Sequence, residues 1–165
     1  MDRAFDDLLA NNRTFAETFD LQGFDGVARA GVAVVTCMDS RLDPLGMLGL
    51  VPGDAKILRN PGGRATDRAL VALVLGVHLL GVDRVLIVQH TRCAMASKSE
   101  PELIAALSES SGSDASWLDL GAIDDQRQAL AADVQRVLSH PLIEGRVRVG
   151  GFLYDVDTGL LDQVA

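Results

Sequence analysis

Three short apolar runs constrain this fold more than any other feature: "VAVVTC" at 32–37, "AKILRN" at 55–60 and "DRVLIVQH" at 83–90. The first and third are almost unbroken Val, Ile and Leu, the pattern of strands buried on both faces of a parallel sheet. Helical stretches separate and follow them. "LDPLGMLGLVPGD" predicts a short turn of helix broken by Pro and Gly. Residues 67–80 are apolar nearly all round, so a helix there should be buried. Further helices are expected around 101–109 and over 121–138, the second ending at "SHP". The C-terminal "RVRVGGFLYDVDTGLLDQVA" predicts a strand, a turn at "DTG" and a final short strand. Residues 2–19 predict an amphipathic N-terminal helix, with Phe5, Leu8, Leu9 and Phe15 at helical spacing. Strands alternating with helices predict an α/β fold: a mostly parallel central sheet flanked by helices, covered on both faces by right-handed connections. A length of 165 residues fits a single domain over 1–165.

Ligands of such sheets bind beyond the carboxyl ends of the strands. Both cysteines of the chain stand there. Cys37 ends the first strand, His90 ends the third, and Cys93 lies just past it. If the two strands are neighbours, the three side chains converge. The N-terminus lacks the apolar core of a signal peptide, which favours a metal or catalytic role for the thiols over a disulfide. Two thiolates and an imidazole suit Zn2+, and three protein ligands leave a fourth position for water.

Asp39 and Arg41 follow Cys37 at spacing two. Asp39 can accept a bidentate pair from Arg41, or it can swing onto the metal as a fourth ligand. The first state leaves the water position open and the second closes it. Gly62 and Gly63, in "NPGGRATD", lead into a helix N-terminus and can present amides to an anion. His78, inside an apolar helix, is expected to be a satisfied core histidine, and His140 to mark a helix end.

Charge narrows the partners. A net charge of −8 argues against nucleic acid, which needs a basic face, and against anionic membranes. The longest apolar run, "ALVALVLGVHLLGV", is short for a membrane span. A cytoplasmic protein is the expectation.

"CMDSRLDP", "ILRNPGG" and "HTRCAM", taken together and in order, resemble the β-class carbonic anhydrases, whose pattern is C-x-D-x-R, then R-N-x-G, then H-x-x-C. The resemblance implies zinc on Cys37, His90 and Cys93, with Asp39 and Arg41 as the catalytic dyad and Gly62 and Gly63 near the substrate pocket. It implies reversible hydration of carbon dioxide to bicarbonate and a proton through zinc-bound hydroxide, by a homodimer or a dimer of dimers. Two other functions fit the same motifs: a carbonyl sulfide or carbon disulfide hydrolase, or a catalytically weak carbonic anhydrase-like zinc protein with a binding role. Three positions depart from the usual family pattern. Ala94 stands where glycine is usual, implying backbone strain or a narrower pocket. Arg92 brings a positive charge beside the metal. Pro61 stiffens the loop before the helix.

Overall fold

The computed structural model describes residues 4–165, so positions 2 and 3 of the expected N-terminal helix lie outside the described residues. Five strands form one sheet in the order β2-β1-β3-β4-β5. They are β1 (Val32–Cys37), β2 (Ala55–Asn60), β3 (Arg84–His90), β4 (Arg148–Tyr154) and β5 (Leu161–Gln163). The first four run parallel and β5 returns antiparallel to β4. β1 lies between β2 and β3 and is buried at every position, as its unbroken apolar sequence requires.

Four helices accompany the sheet: α1 (Asp6–Ala16), α2 (Asp67–Leu79), α3 (Glu100–Ser111) and α4 (Gln126–Leu138). Leu70 and Leu73 of α2 and Leu130, Val134 and Val137 of α4 pack with Ala33, Val35, Val85 and Ile87 of the sheet. The opposite face, with Val32, Val34 and Val88, is packed by Met47, Leu48 and Leu50 from the turn after β1. A turn therefore stands there, where helical cover of both faces was expected. Glycine at 46 and 49 and Pro44 keep that segment to a single 3-10 turn, Gly46–Leu48.

Two helices differ from their sequence pattern in instructive ways. α2 was expected to be buried, yet Val71, Leu75 and Leu79 are about half exposed or more (55%, 48% and 68%). Their spacing of four puts them on one outward stripe that none of the described residues covers. His78 is exposed on the same helix, so it is not a core histidine, although its Nε2 is bonded to the Leu142 carbonyl. α4 starts at 126, not 121, because Asp125 caps it by accepting from the Gln128 amide at 3.0 Å. His140 does follow the end of α4, its amide bonded to the Val137 carbonyl. Among the described residues no helix is long and apolar enough to cross a membrane.

Gly63 shows how closely the loop before α2 packs on the sheet. It has φ +66°, and a Cβ there would lie 2.7 Å from the Val88 carbonyl oxygen and 2.9 Å from the Cys37 amide nitrogen. Those neighbours are backbone of β3 and β1 and cannot turn aside. Asn60 fixes the loop by accepting from the Arg64 amide and donating to the Arg64 carbonyl, both at 2.8 Å. Gly63→Ala should combine a left-handed penalty with overpacking and destabilise the metal-free protein by roughly 2–4 kcal/mol. A urea titration checks this; an unchanged midpoint would contradict it.

Candidate metal centre

β1 and β3 are adjacent and parallel, with Thr36 opposite Val88, so Cys37 and His90 emerge at the same carboxyl edge. Cys93 follows three residues later, at the start of a 3-10 turn over Ala94–Ala96. All three side chains are buried, and their donor atoms lie within 4.8 Å of one another. The two sulfurs are 3.9 Å apart. The His90 Nδ1–H is directed at the Thr91 carbonyl, 2.8 Å away, which fixes the tautomer and leaves Nε2 as the free donor atom. Nε2 is buried, with no hydrogen-bond partner among the described residues. A buried nitrogen left unpaired is costly, and a metal ion would satisfy it. The donor set therefore fits a soft-to-borderline divalent cation such as zinc.

Electrostatics favour the same use. Burial pulls the His90 pKa down, outweighing the Thr91 carbonyl and Asp39, so the imidazole is held neutral as a ligand must be. Burial pushes the Cys93 thiol up to about 11, with the neighbouring Cys37 adding to the effect. Without a cation, this pocket disfavours thiolate.

Asp39 stands at the edge of the cluster, its Oδ2 3.8 Å from His90 Nε2. Its carboxylate is committed to Arg41: Nε donates to Oδ1 at 2.9 Å, Nη2 to Oδ2 at 2.8 Å, and the Arg41 amide to Oδ1 at 2.9 Å. The Arg41 side chain, then its amide, hold the Asp39 carboxyl well below the usual carboxylate range. Arg41 is itself anchored, its Nη2 donating to the Arg92 carbonyl at 3.1 Å.

Arg92 takes φ +53°, the one left-handed non-glycine among the described residues. Its side chain is paired with Asp157 of the β4–β5 turn, so its charge is matched there. Its backbone reaches the dyad, a role the sequence did not suggest. Ala94, where strain was one expectation, has no left-handed backbone. It lines a cavity of about 230 Å³ with Cys37, Met38, Asp39, Pro61, Cys93 and Met95. Gly62 and Gly63 are buried and are not among the residues that line this cavity.

Two supports escaped the sequence altogether. Gln126 Nε2 donates to the His90 carbonyl at 2.9 Å, and Thr91 Oγ1 accepts from the Val156 amide at 3.1 Å. Both join the Cys/His/Cys cluster to distant segments, and neither has a local spacing that would announce it.

Residues 32–161 match the family described as "Carbonic anhydrase". Beta-carbonic anhydrase 1 of Mycobacterium tuberculosis is 32% identical over 166 residues, covering 96% of each chain. A carbon disulfide hydrolase of Acidianus is 33% identical over 149 residues, covering 76% of this chain and 72% of the relative. The crystal structure of a carbonic anhydrase from Streptococcus mutans superposes with a TM-score of 0.90 at 33% identity, covering 100% of this chain and 99% of that one.

Proposed function

The chain belongs to the β-carbonic anhydrase family, and from that premise we propose that it hydrates carbon dioxide reversibly to bicarbonate and a proton, with one zinc ion on Cys37, His90 and Cys93. The observation that carries this reading is the buried Cys/His/Cys cluster, with its unpartnered His90 Nε2, beside a carboxylate locked to an arginine. Zinc bound there supplies Lewis acidity that makes a water molecule nucleophilic near neutral pH.

The protein's own groups do the rest. Asp39 Oδ1 accepts two bonds from Arg41 and Oδ2 accepts one, so Oδ2 keeps acceptor capacity. It can take a hydrogen bond from the attacking water and orient its lone pair. Arg41 keeps Asp39 ionised and turned from the metal position. Met38, Pro61, Ala94 and Met95 give the cavity an apolar wall suited to a small apolar molecule.

Assembly follows from exposed apolar surface. α1 has no buried residue, and Phe5, Leu8, Leu9 and Phe15 are all more than half exposed. The Val71, Leu75, Leu79 stripe of α2 is a second uncovered face. A homodimer, alone or paired into a dimer of dimers, covers such faces. A cytoplasmic location is part of the same proposal.

Zinc-loaded protein should carry about one metal ion per chain and accelerate hydration in stopped flow. Turnover no faster than buffer from pH 6 to 9, with zinc present, would overturn the proposal. Carbon disulfide or carbonyl sulfide hydrolysis is the second reading, favoured by the same apolar wall and by the carbon disulfide hydrolase relative. Assay of all three gases on one preparation separates the two.

A further inference from the structure

Arg59 ends the edge strand β2 one residue before its last position, opposite Thr36 of β1. Its side chain runs forward over the turn that carries the dyad. Nε donates to the Cys37 carbonyl at 2.9 Å, Nη2 to the Asp39 carbonyl, and Nη1 more weakly to the Leu42 carbonyl at 3.4 Å. Among the described residues it forms no ion pair with a carboxylate. Its charge is thus directed at backbone oxygens of a single six-residue segment. Those oxygens belong to a proposed metal ligand, to the dyad acid and to the residue closing the turn. Besides the Arg41 side-chain bonds to Asp39 and to the Arg92 carbonyl, the segment past β1 is held by Met38 N to the Asn60 carbonyl at 3.1 Å, Leu42 N to the Asp39 carbonyl at 3.2 Å, and the Arg41 amide on Asp39.

We propose that Arg59 is a positioning residue for the reaction: by gripping the carbonyls of Cys37, Asp39 and Leu42, it sets where the Asp39 carboxylate stands relative to Arg41 and the metal cluster. The chemistry explains the choice of residue. A planar guanidinium offers five donors in a fixed fork and can span three oxygens spaced along a turn; an ammonium has three donors radiating from one nitrogen and cannot reach as far apart. Bonds from a charged donor are also stronger than neutral ones. Arg59 is neither a lining residue of the cavity nor a member of the Cys/His/Cys cluster, so it acts through the backbone that presents them.

The kinetic part of the test rests on the hydratase reading; the exchange part does not. Zinc-loaded Arg59→Ala and Arg59→Lys are compared with the parent for zinc content, kcat, KM and amide hydrogen exchange over 37–43. In Arg59→Ala, zinc should stay near one per chain while kcat falls on the order of 10²-fold with KM little changed, the cost of misplacing a catalytic group by about 1 Å. Added guanidinium ion should restore part of the rate, and Arg59→Lys should lie between. The Met38 and Leu42 amides should exchange faster in Arg59→Ala while those of β3 are unchanged. A zinc-loaded Arg59→Ala with kcat within about two-fold of the parent would overturn the proposal, since the misplacement expected is far larger. Unchanged exchange at Met38 and Leu42 would overturn it too. If the parent hydrates no carbon dioxide, exchange alone decides. If Arg59→Ala does not fold, Arg59→Lys carries the same two readouts.

Discussion

Cys93→Ser is expected to fold, to hold far less than one zinc per chain after dialysis, and to hydrate carbon dioxide no faster than buffer. The side chain is 3% exposed and nearly isosteric with serine, so the cost to the fold is small. The cost to the metal is large. A serine hydroxyl is a poor ligand for zinc, and Cys37 and His90 alone leave half of a tetrahedral site to solvent. The buried thiol also sets a pH dependence. With Cys93 held up at about 11, chiefly by burial, zinc must displace a proton to bind at neutral pH. Zinc retention by the parent should therefore weaken as pH falls and strengthen as it rises. Metal analysis after dialysis at pH 6 and pH 8 measures both effects. If Cys93 were only a small buried hydrophobe, the serine variant would match the parent in zinc and in rate.

Asp39→Asn should behave in the opposite way, keeping its zinc and losing its rate. The three proposed ligands are untouched, so zinc stays near one per chain. The amide cannot accept the charge-assisted fork from Arg41, and it puts an N–H where an acceptor is needed. A fall in kcat of about 10²–10⁴-fold is expected, the range typical for loss of a proton-directing group. The Asp39 pKa is depressed in the fold, mainly by the Arg41 side chain. Its contribution to stability is thus present above the ordinary carboxylate range and lost only in strong acid. The Tm difference between parent and variant should stay constant from about pH 5 to pH 8 and shrink in more acid solution. A difference that changes near neutrality would mean that Asp39 is not locked to Arg41 in solution.

The strands were the most legible part of the fold. β1 and β2 have the bounds their sequences predict, and β3 begins one residue late. Continuous β-branched sequence between turn residues leaves a chain few alternatives. The early start expected for α4 failed for a tertiary reason. Residues 121–123, inside the expected helix, give their amides elsewhere: Ala122 to the Glu100 carboxylate, as does Leu120 just before them, and Ile123 to the Met95 carbonyl. The convergence of Cys37, His90 and Cys93 was legible because Cys37 and His90 end strands whose positions could be read and Cys93 lies three residues beyond. Arg59, Thr91, Gln126 and the backbone of Arg92 were not. They act through main-chain carbonyls and amides, which every residue possesses, so no side-chain spacing marks their partners. Glycine at 63 was visible, but its reason was not: it clears the backbone of Cys37 and does not face the cavity.

α1 carries one further implication. An eleven-residue helix with no buried residue is close to the coil limit in water. In the proposed homodimer its order becomes a collective property, supplied by the surface that receives Phe5, Leu8, Leu9 and Phe15. On dilution of such a dimer, the amino-terminal segment should be the first to melt, well before the sheet that carries the Cys/His/Cys cluster.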